Sequence, residues 1–365
     1  MNFIDSVLHE HYEEWGLAAY GPGAEWSTVM ITPQFTTSRH VVGLIFPVGA
    51  HSPSLVVKIP RCPGDNEGVR REAEMLRQLT ALSDGRMEGT PHIVATLDVG
   101  EHTVLVETAL TGAALGPYRV AKDLAGAVAL GVDFVAALPC TLPGPDNRDW
   151  YERTLERPLE ALASLLPGDA EVSALVDRTH ELLRPLRNST LPAVFEHGDL
   201  SHPNLLVQAG GRLQVMDWER SSLFGLPGHD LIFYLQYLSE SSDMAFSRVA
   251  QLAAFDKAFG PGGWALPPLR EHLKFRNVDP ALLPLLVIAT WARSASTLAY
   301  RLASEGVPAP DSARLRTAIL DDRDFWLWRH VVTAEPNQSG QDWPGLERTA
   351  AGPKIRCRHA VHGKM

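Results

Sequence analysis

The stretch FEHGDLSHPNLLVQAGGRLQVMDWE, residues 195–219, sets His197, Asp199, Asn204 and Asp217 inside what otherwise reads as two apolar strands. LLVQAGGRLQVMDW has the pattern of strand, turn and strand, with Gly210 and Gly211 at the turn. Asn204 stands just before the first strand and Asp217 at the end of the second, so the open end of the hairpin brings them together. Two oxygen donors there suit a hard cation, and Mg²⁺ with few protein ligands completes its shell with water and phosphate oxygens. Asp199 lies close enough in sequence to share the pocket without entering the same coordination sphere.

Phosphoryl transfer needs a carboxylate near the attacking hydroxyl, a divalent metal between phosphates, and a cation on the nucleotide's phosphates. Asp199 fits the first role, and Asn204 with Asp217 the second. His197 is placed to brace the loop by a backbone hydrogen bond rather than to react. The cation is expected elsewhere in the chain. Lys58 sits in a Val-Val-Lys-Ile strand, an awkward place for charge unless it points into a cleft. In the following helix, EGVRREAEMLRQL, Val69, Ala73, Leu76 and Leu79 define the buried stripe. Glu72 falls within that stripe while Glu67 and Glu74 fall opposite, so Glu72 is the expected partner of Lys58.

The elements that position these residues divide into two regions. TVMITP (28–33), HVVGLIF (40–46) and SLVVKIP (54–60) read as strands, followed by a helix over about 66–80 and a hairpin turning near Gly100. TGAALGP (111–117) has the small residues of a hinge. From about residue 118 the period becomes helical in VAKDLAGAVALGVDFVAAL, DWYERTLERPLEALASLL and AEVSALVDRTHELLRPL, and again over about 229–240, 246–259, 281–304 and 312–332. The expected organisation is α+β: a sheet lobe over residues 1–110, a mostly helical lobe with an embedded hairpin over 111–335, and a loosely ordered tail over 336–365.

Composition narrows the function classes. A formal net charge of −10 gives nucleic-acid binding no global support. Cys62, Cys140 and Cys357 stand far apart with no CxxC pair, which argues against a disulfide framework or a zinc site and fits a reducing, cytoplasmic compartment. The mixed, acidic start MNFIDSVLHEHYEEWG is unlike a signal peptide. PALLPLLVIATWARSAST is interrupted by Arg293 and by prolines, so a buried core helix is expected rather than a membrane span. No membrane or obligate protein partner is evident.

The HGDLSHPN string followed by Asp217-Trp218-Glu219 resembles the signature of the aminoglycoside phosphotransferase and choline kinase families, which have the protein-kinase-like two-lobe fold. The resemblance extends over roughly residues 25–330 and takes in the strand lysine, the glutamate helix, VLVETALTG and GHDL. It implies a kinase using ATP or GTP with Mg²⁺ and a small-molecule hydroxyl acceptor: aminoglycoside-like, sugar or amino alcohol. Asp199 would orient the acceptor hydroxyl or act as its base, Asn204 and Asp217 would hold Mg²⁺, and Lys58 paired with Glu72 would meet the phosphates. Backbone groups from Glu107 to Ala109 would meet the base edge, and Asp230 would tie its helix to the catalytic loop. The sequence departs from the family in Ser201-His202-Pro203 and in QFTTSRH, which lacks the glycines of a phosphate loop; Thr36, Thr37 and Ser38 would supply donors there. A biosynthetic kinase of a sugar or natural-product intermediate, and a non-catalytic kinase-like binding module, are the alternatives. Glu240, Asp243, Asp321 and Asp322 are available for acceptor binding, with nothing to choose among them.

Overall fold

The computed structural model describes residues 2–21, 26–31, 40–83, 85, 87–304 and 312–334. It begins with helix α1 (Phe3–Glu10), capped where the Asn2 side chain accepts the Asp5 N–H. A five-stranded antiparallel sheet follows, built from β1 (Trp26–Ile31), β2 (His40–Pro47), β3 (Leu55–Pro60), β4 (Ile93–Val99) and β5 (His102–Thr108) in the order β1-β2-β3-β5-β4. Helix α2 (Glu67–Leu82) lies between β3 and β4 in sequence. Side chains alternate across a strand, and residues opposite each other in the ladder share a face. Ile45, Leu55, Val57, Val104 and Val106 therefore point one way, where they pack against Ile4, Val7 and Leu8 of α1. Gly43 permits this docking, because a Cβ there would meet Ile4 Cδ1 at 2.6 Å.

The opposite face is the one that carries chemistry. Lys58 is in register with Val42 and Leu105, and Val42 with Ile31. Val56 is in register with Leu44 and Glu107, and Leu44 with Val29. Lys58 and Glu107 thus share a face with a row of apolar side chains. Of these, Val29 and Ile31 are exposed and Val42, Leu44 and Val56 half-buried. A partly uncovered apolar roof beside a buried ion pair is a surface built to receive something.

The remaining chain is mostly helical. It runs through β6 (Ala113–Ala114), α3 (Pro117–Lys122), α4 (Leu124–Ala137), β7 (Cys140–Leu142), a π-helical turn (Glu152–Glu156), α5 (Arg157–Leu165), α6 (Ala170–Leu182) and α7 (Arg184–Arg187). Next come β8 (Ala193–Glu196), β9 (Leu205–Val207), β10 (Leu213–Val215) and β11 (Ser222–Gly225). The chain closes with α8 (His229–Ser242), α9 (Arg248–Phe259), α10 (Leu266–Phe275), α11 (Leu283–Ser304), α12 (Ser312–Leu320) and α13 (Arg323–Thr333). One small sheet has the order β10-β9-β6, joining the expected hinge segment to the hairpin, and another the order β11-β8-β7.

Several expectations needed adjustment. The helical run over 312–332 is two helices, because Asp322 accepts the N–H groups of Asp324 and Phe325 and so starts α13 afresh. Asp123 likewise caps α4 through the Gly126 N–H and separates it from α3. Helices α1 and α10 and the π-helical turn were not anticipated. The apolar stretch Pro280–Leu298 is long and apolar enough to cross a membrane, but most of it is buried inside the protein, with Leu286, Val287, Trp291 and Ala292 in the main core. The tail over 336–365 and the segment with Thr36, Thr37 and Ser38 lie outside the described residues.

Candidate active site

The loop after β8 is held by a single carboxylate. Asp230, at the start of α8, accepts the His197 N–H at 2.7 Å and the Gly198 N–H at 2.9 Å. Gly198 turns the chain at φ +82°, and a Cβ there would lie 2.8 Å from the Arg220 carbonyl, so glycine is required. Burial pushes the Asp230 carboxyl up to about 7, with repulsion from Glu196 adding to it and the two amide donors opposing it.

The His197 ring is fully buried between the loop and the hairpin. Its Nε2 lies 2.9 Å from the Met216 carbonyl, and its Nδ1 accepts the Asp199 N–H at 3.2 Å. This pairing assigns the neutral tautomer with the proton on Nε2, and burial pulls the imidazole below its ordinary pKa. Both ring nitrogens are occupied by backbone groups, so the imidazole fixes geometry.

Asp199 remains half exposed. Its Oδ1 accepts the Ser201 hydroxyl at 3.1 Å, and its Oδ2 faces Arg220 Nη1 at 3.1 Å. Asn204 Nδ2 donates to the Asp199 carbonyl at 3.2 Å, and the Asn204 carbonyl accepts the Met216 N–H at 2.9 Å, which closes the open end of the hairpin. Gly210 and Gly211, both at positive φ, make the turn at the far end. Asp217 adopts φ 66°, an uncommon left-handed conformation for an aspartate, two residues past the end of β10. Among the described residues its carboxylate forms no hydrogen bond or ion pair.

The next residue links the two lobes. The Trp218 N–H donates to Glu72 Oε1 at 2.9 Å, and the same oxygen meets Lys58 Nζ at 2.5 Å. Arg71, one position earlier on α2, donates to the carbonyls of Glu219 (2.9 Å) and Ser221 (2.8 Å). The expected Lys58 and Glu72 pairing is present, but Lys58 has a second partner in the Glu107 carboxylate at 3.2 Å. Burial opposes the lysine's charge; Glu107 first, then Glu72 and Asp217, overcome it and hold its pKa above the ordinary value. Burial also works against ionised Glu72, yet Lys58 keeps it below the usual carboxylate range. Glu107, without the tryptophan amide, is pushed up by burial to about 7.

Glu107 therefore enters the site through its side chain, a role that the register of β3 against β5 sets and that the motif does not encode. The Ala109 N–H expected at a nucleotide's base edge is occupied, donating to the Ser54 carbonyl at 3.0 Å, and the Thr108 N–H donates to the His92 carbonyl at 2.8 Å. Glu219 is half-buried, with His40 Nδ1 at 3.6 Å, and burial followed by Asp217 repulsion pushes it up to about 7. Arg220 and Arg71, neither singled out from sequence, hold this segment from its two sides. Ser38 lies outside the described residues.

A sheet lobe with a buried lysine and glutamate pair, facing a helical lobe with a carboxylate loop and hairpin, defines the protein-kinase-like class of phosphotransferases. The model of the phosphotransferase enzyme family (APH) matches residues 46–272, well over half of the chain, and the protein belongs to that family. Among solved structures, the GDP complex of wild-type aminoglycoside 2′-phosphotransferase-IIIa is 14% identical, covering 88% of this chain and 96% of that one at a TM-score of 0.50. An ethanolamine kinase of Plasmodium vivax is 11% identical, covering 84% of this chain and 83% of that one, also at 0.50. At these identities the likeness establishes the shared fold. No curated protein sequence matches the chain.

Proposed function

We propose that this phosphotransferase is a Mg²⁺-dependent kinase moving the γ-phosphoryl group of ATP or GTP to a hydroxyl of a small molecule. The observation that carries the reading is the linkage of the Asp199, Asn204 and Asp217 segment to the Lys58 and Glu72 pair through the Trp218 amide, with the Asp217 charge acting on Lys58. Asp199 accepts or orients the acceptor's hydroxyl proton, since it alone of the loop carboxylates is half exposed and tethered at both oxygens. Lys58 meets the nucleotide's phosphates, and the apolar row of Val29, Ile31, Val42, Leu44 and Val56 covers its base.

The donor set fits Mg²⁺. Asp217 is uncommitted and Asn204 Oδ1 makes no hydrogen bond among the described residues, while Lys58 faces an excess of carboxylates in Glu72, Glu107 and Asp217. When bound, the ion supplies positive charge between the phosphates.

The reading places the lobe boundary near residue 110 and the protein in the cytoplasm, where the free thiols of Cys62 and Cys140 persist. Calorimetry with Mg-ATP and an ADP-release assay test it together. Asp199→Asn is expected to keep nucleotide affinity and lose about 10²–10⁴-fold in kcat, whereas Asp217→Asn loses Mg²⁺-dependent nucleotide binding. Full turnover in Asp199→Asn would overturn the mechanism. Absence of Mg-ATP binding to the unaltered protein would instead support the non-catalytic alternative.

A further inference from the structure

The carboxylates that the sequence offers for a cationic acceptor are already engaged. Glu240 is buried and lies 3.5 Å from Arg323. Asp243 is paired with Lys257 at 2.6 Å, Asp321 lies 3.4 Å from Arg248, and Asp322 caps α13. What stands less committed near the catalytic loop is arginine. Arg323, over the rings of Phe233 (4.8 Å) and Trp291 (5.9 Å), is not such a group, because it pairs with Asp324 at 2.7 Å and Glu240 at 3.5 Å.

Arg153 is the clearest case. It occupies the π-helical turn Glu152–Glu156, a local geometry that recurs at functional sites. Its guanidinium lies 4.3 Å over the ring of Phe224, which is itself exposed on β11. Its Nη2 donates to Asn147 Oδ1 at 2.6 Å, and Asn147 is fixed in turn by the Leu191 carbonyl. Its Nε is buried without a partner, and among the described residues no carboxylate forms an ion pair with it. The turn packs against α11, which carries Arg293. Arg293 is paired with Glu196, the last residue of β8 before the catalytic loop. Burial first, and then Arg157 and Arg293, act against the Arg153 charge, with Asp149 opposing them; a bound anion would act in the same direction as Asp149.

The backbone connects this arginine to the reacting centre. Arg220 touches Asp199, and the chain from Arg220 to Phe224 enters β11, whose Ser222 is in register with Glu196. At a strand rise of ~3.3 Å per residue the Cα atoms of Arg220 and Phe224 are at most about 13 Å apart, so one short stretch of backbone carries both the contact to Asp199 and the seat of Arg153.

We propose that the hydroxyl acceptor carries an anionic group, carboxylate or phosphate, and that Arg153, seated on Phe224 beside Arg293, receives it. This rests on the kinase reading and narrows its acceptor from cationic aminoglycoside-like or amino-alcohol compounds to acidic sugars and related intermediates. A guanidinium seated over an aromatic ring keeps its fork of N–H donors for the bidentate geometry that carboxylate and phosphate oxygens accept.

The test is an ADP-release assay with Mg-ATP and three acceptor sets: cationic (kanamycin, ethanolamine), neutral (glucose, glycerol) and anionic (glucose 6-phosphate, gluconate, 3-phosphoglycerate). Turnover is expected with an anionic member, with Arg153→Met raising its KM at least tenfold, leaving the KM for ATP unchanged, and Arg153→Lys recovering part of the loss. A cationic or neutral compound as the best acceptor, an unchanged acceptor KM in Arg153→Met, or no turnover of any anionic member by protein that binds Mg-ATP would each overturn it. Loss of Mg-ATP binding in calorimetry of the unaltered protein overturns the kinase reading itself, and so separates the two failures.

Discussion

One buried lysine faces two buried carboxylates, and they are not equivalent. Glu72 is fully buried, sits closest to Lys58 and also accepts the Trp218 amide, so its charge is satisfied from two sides. Glu107 shares Lys58 and has no backbone donor like the Trp218 amide, while the Oε2 of each carboxylate is buried without a partner. Removing the lysine leaves both carboxylates uncompensated, and breaking a buried pair in this way costs about 3–5 kcal/mol. Lys58→Met is therefore expected to lower the melting temperature sharply, while adding Glu72→Gln to it restores part of the loss. Glu107→Gln, which removes the less satisfied charge, is expected to stay within about 1 kcal/mol of the unaltered protein. A thermal melt of the three variants beside the unaltered protein decides the ranking; a Glu107→Gln loss as large as that of Lys58→Met would refute it. The Lys58 and Glu72 pairing was legible from the apolar stripe of one helix. Glu107 was not, because its place depends on the register of β3 against β5, which a single strand does not contain.

At the scale of elements, the hairpin was readable because its glycines, apolar alternation and terminal polar residues all point the same way. Breaks set by a capping aspartate were not, since Asp123 and Asp322 each sit inside an otherwise continuous helical period. Helix packing was equally hidden. Gly131 on α4 faces Tyr234 of α8, and a Cβ there would come within 2.0 Å of the ring. The ring has no easy escape, because its hydroxyl donates to the Ala127 carbonyl at 2.6 Å. Two effects oppose each other in Gly131→Ala. Helix propensity favours alanine by about 1 kcal/mol, whereas forcing atoms into a packed core costs about 1–3 kcal/mol. The overlap here is with a tethered ring, so the second effect is expected to win, with a net loss of about 1–2 kcal/mol. Denaturant unfolding measures it, and a stabilised variant would show that the two helices part freely.

Across the whole molecule, buried titratable groups set how stability responds to acid, and they act in opposite directions. Asp230, Glu107 and Glu219 are each pushed up to about 7 by burial, so the folded protein holds these protons more tightly and gains stability as pH falls from neutrality. His229 and His272 are pulled down to about 4 by burial, so the unfolded chain binds their protons first and stability falls over the same window. The histidine case can be isolated, because burial and the Arg276 charge alone act on His272 of α10. Its folded value lies below its ordinary 6.5, so its contribution is complete above pH 6.5 and is lost as pH falls toward about 4. A separation of that size amounts to about 3 kcal/mol when fully developed. His272→Gln is accordingly expected to lose less stability on acidification than the unaltered protein, with the difference between them shifting by about 2 kcal/mol from pH 7 to pH 4.5. Urea unfolding at the two pH values measures that shift. A constant difference would mean that His272 titrates alike in the folded and unfolded chains, and that the α10 region admits water the packing around it excludes.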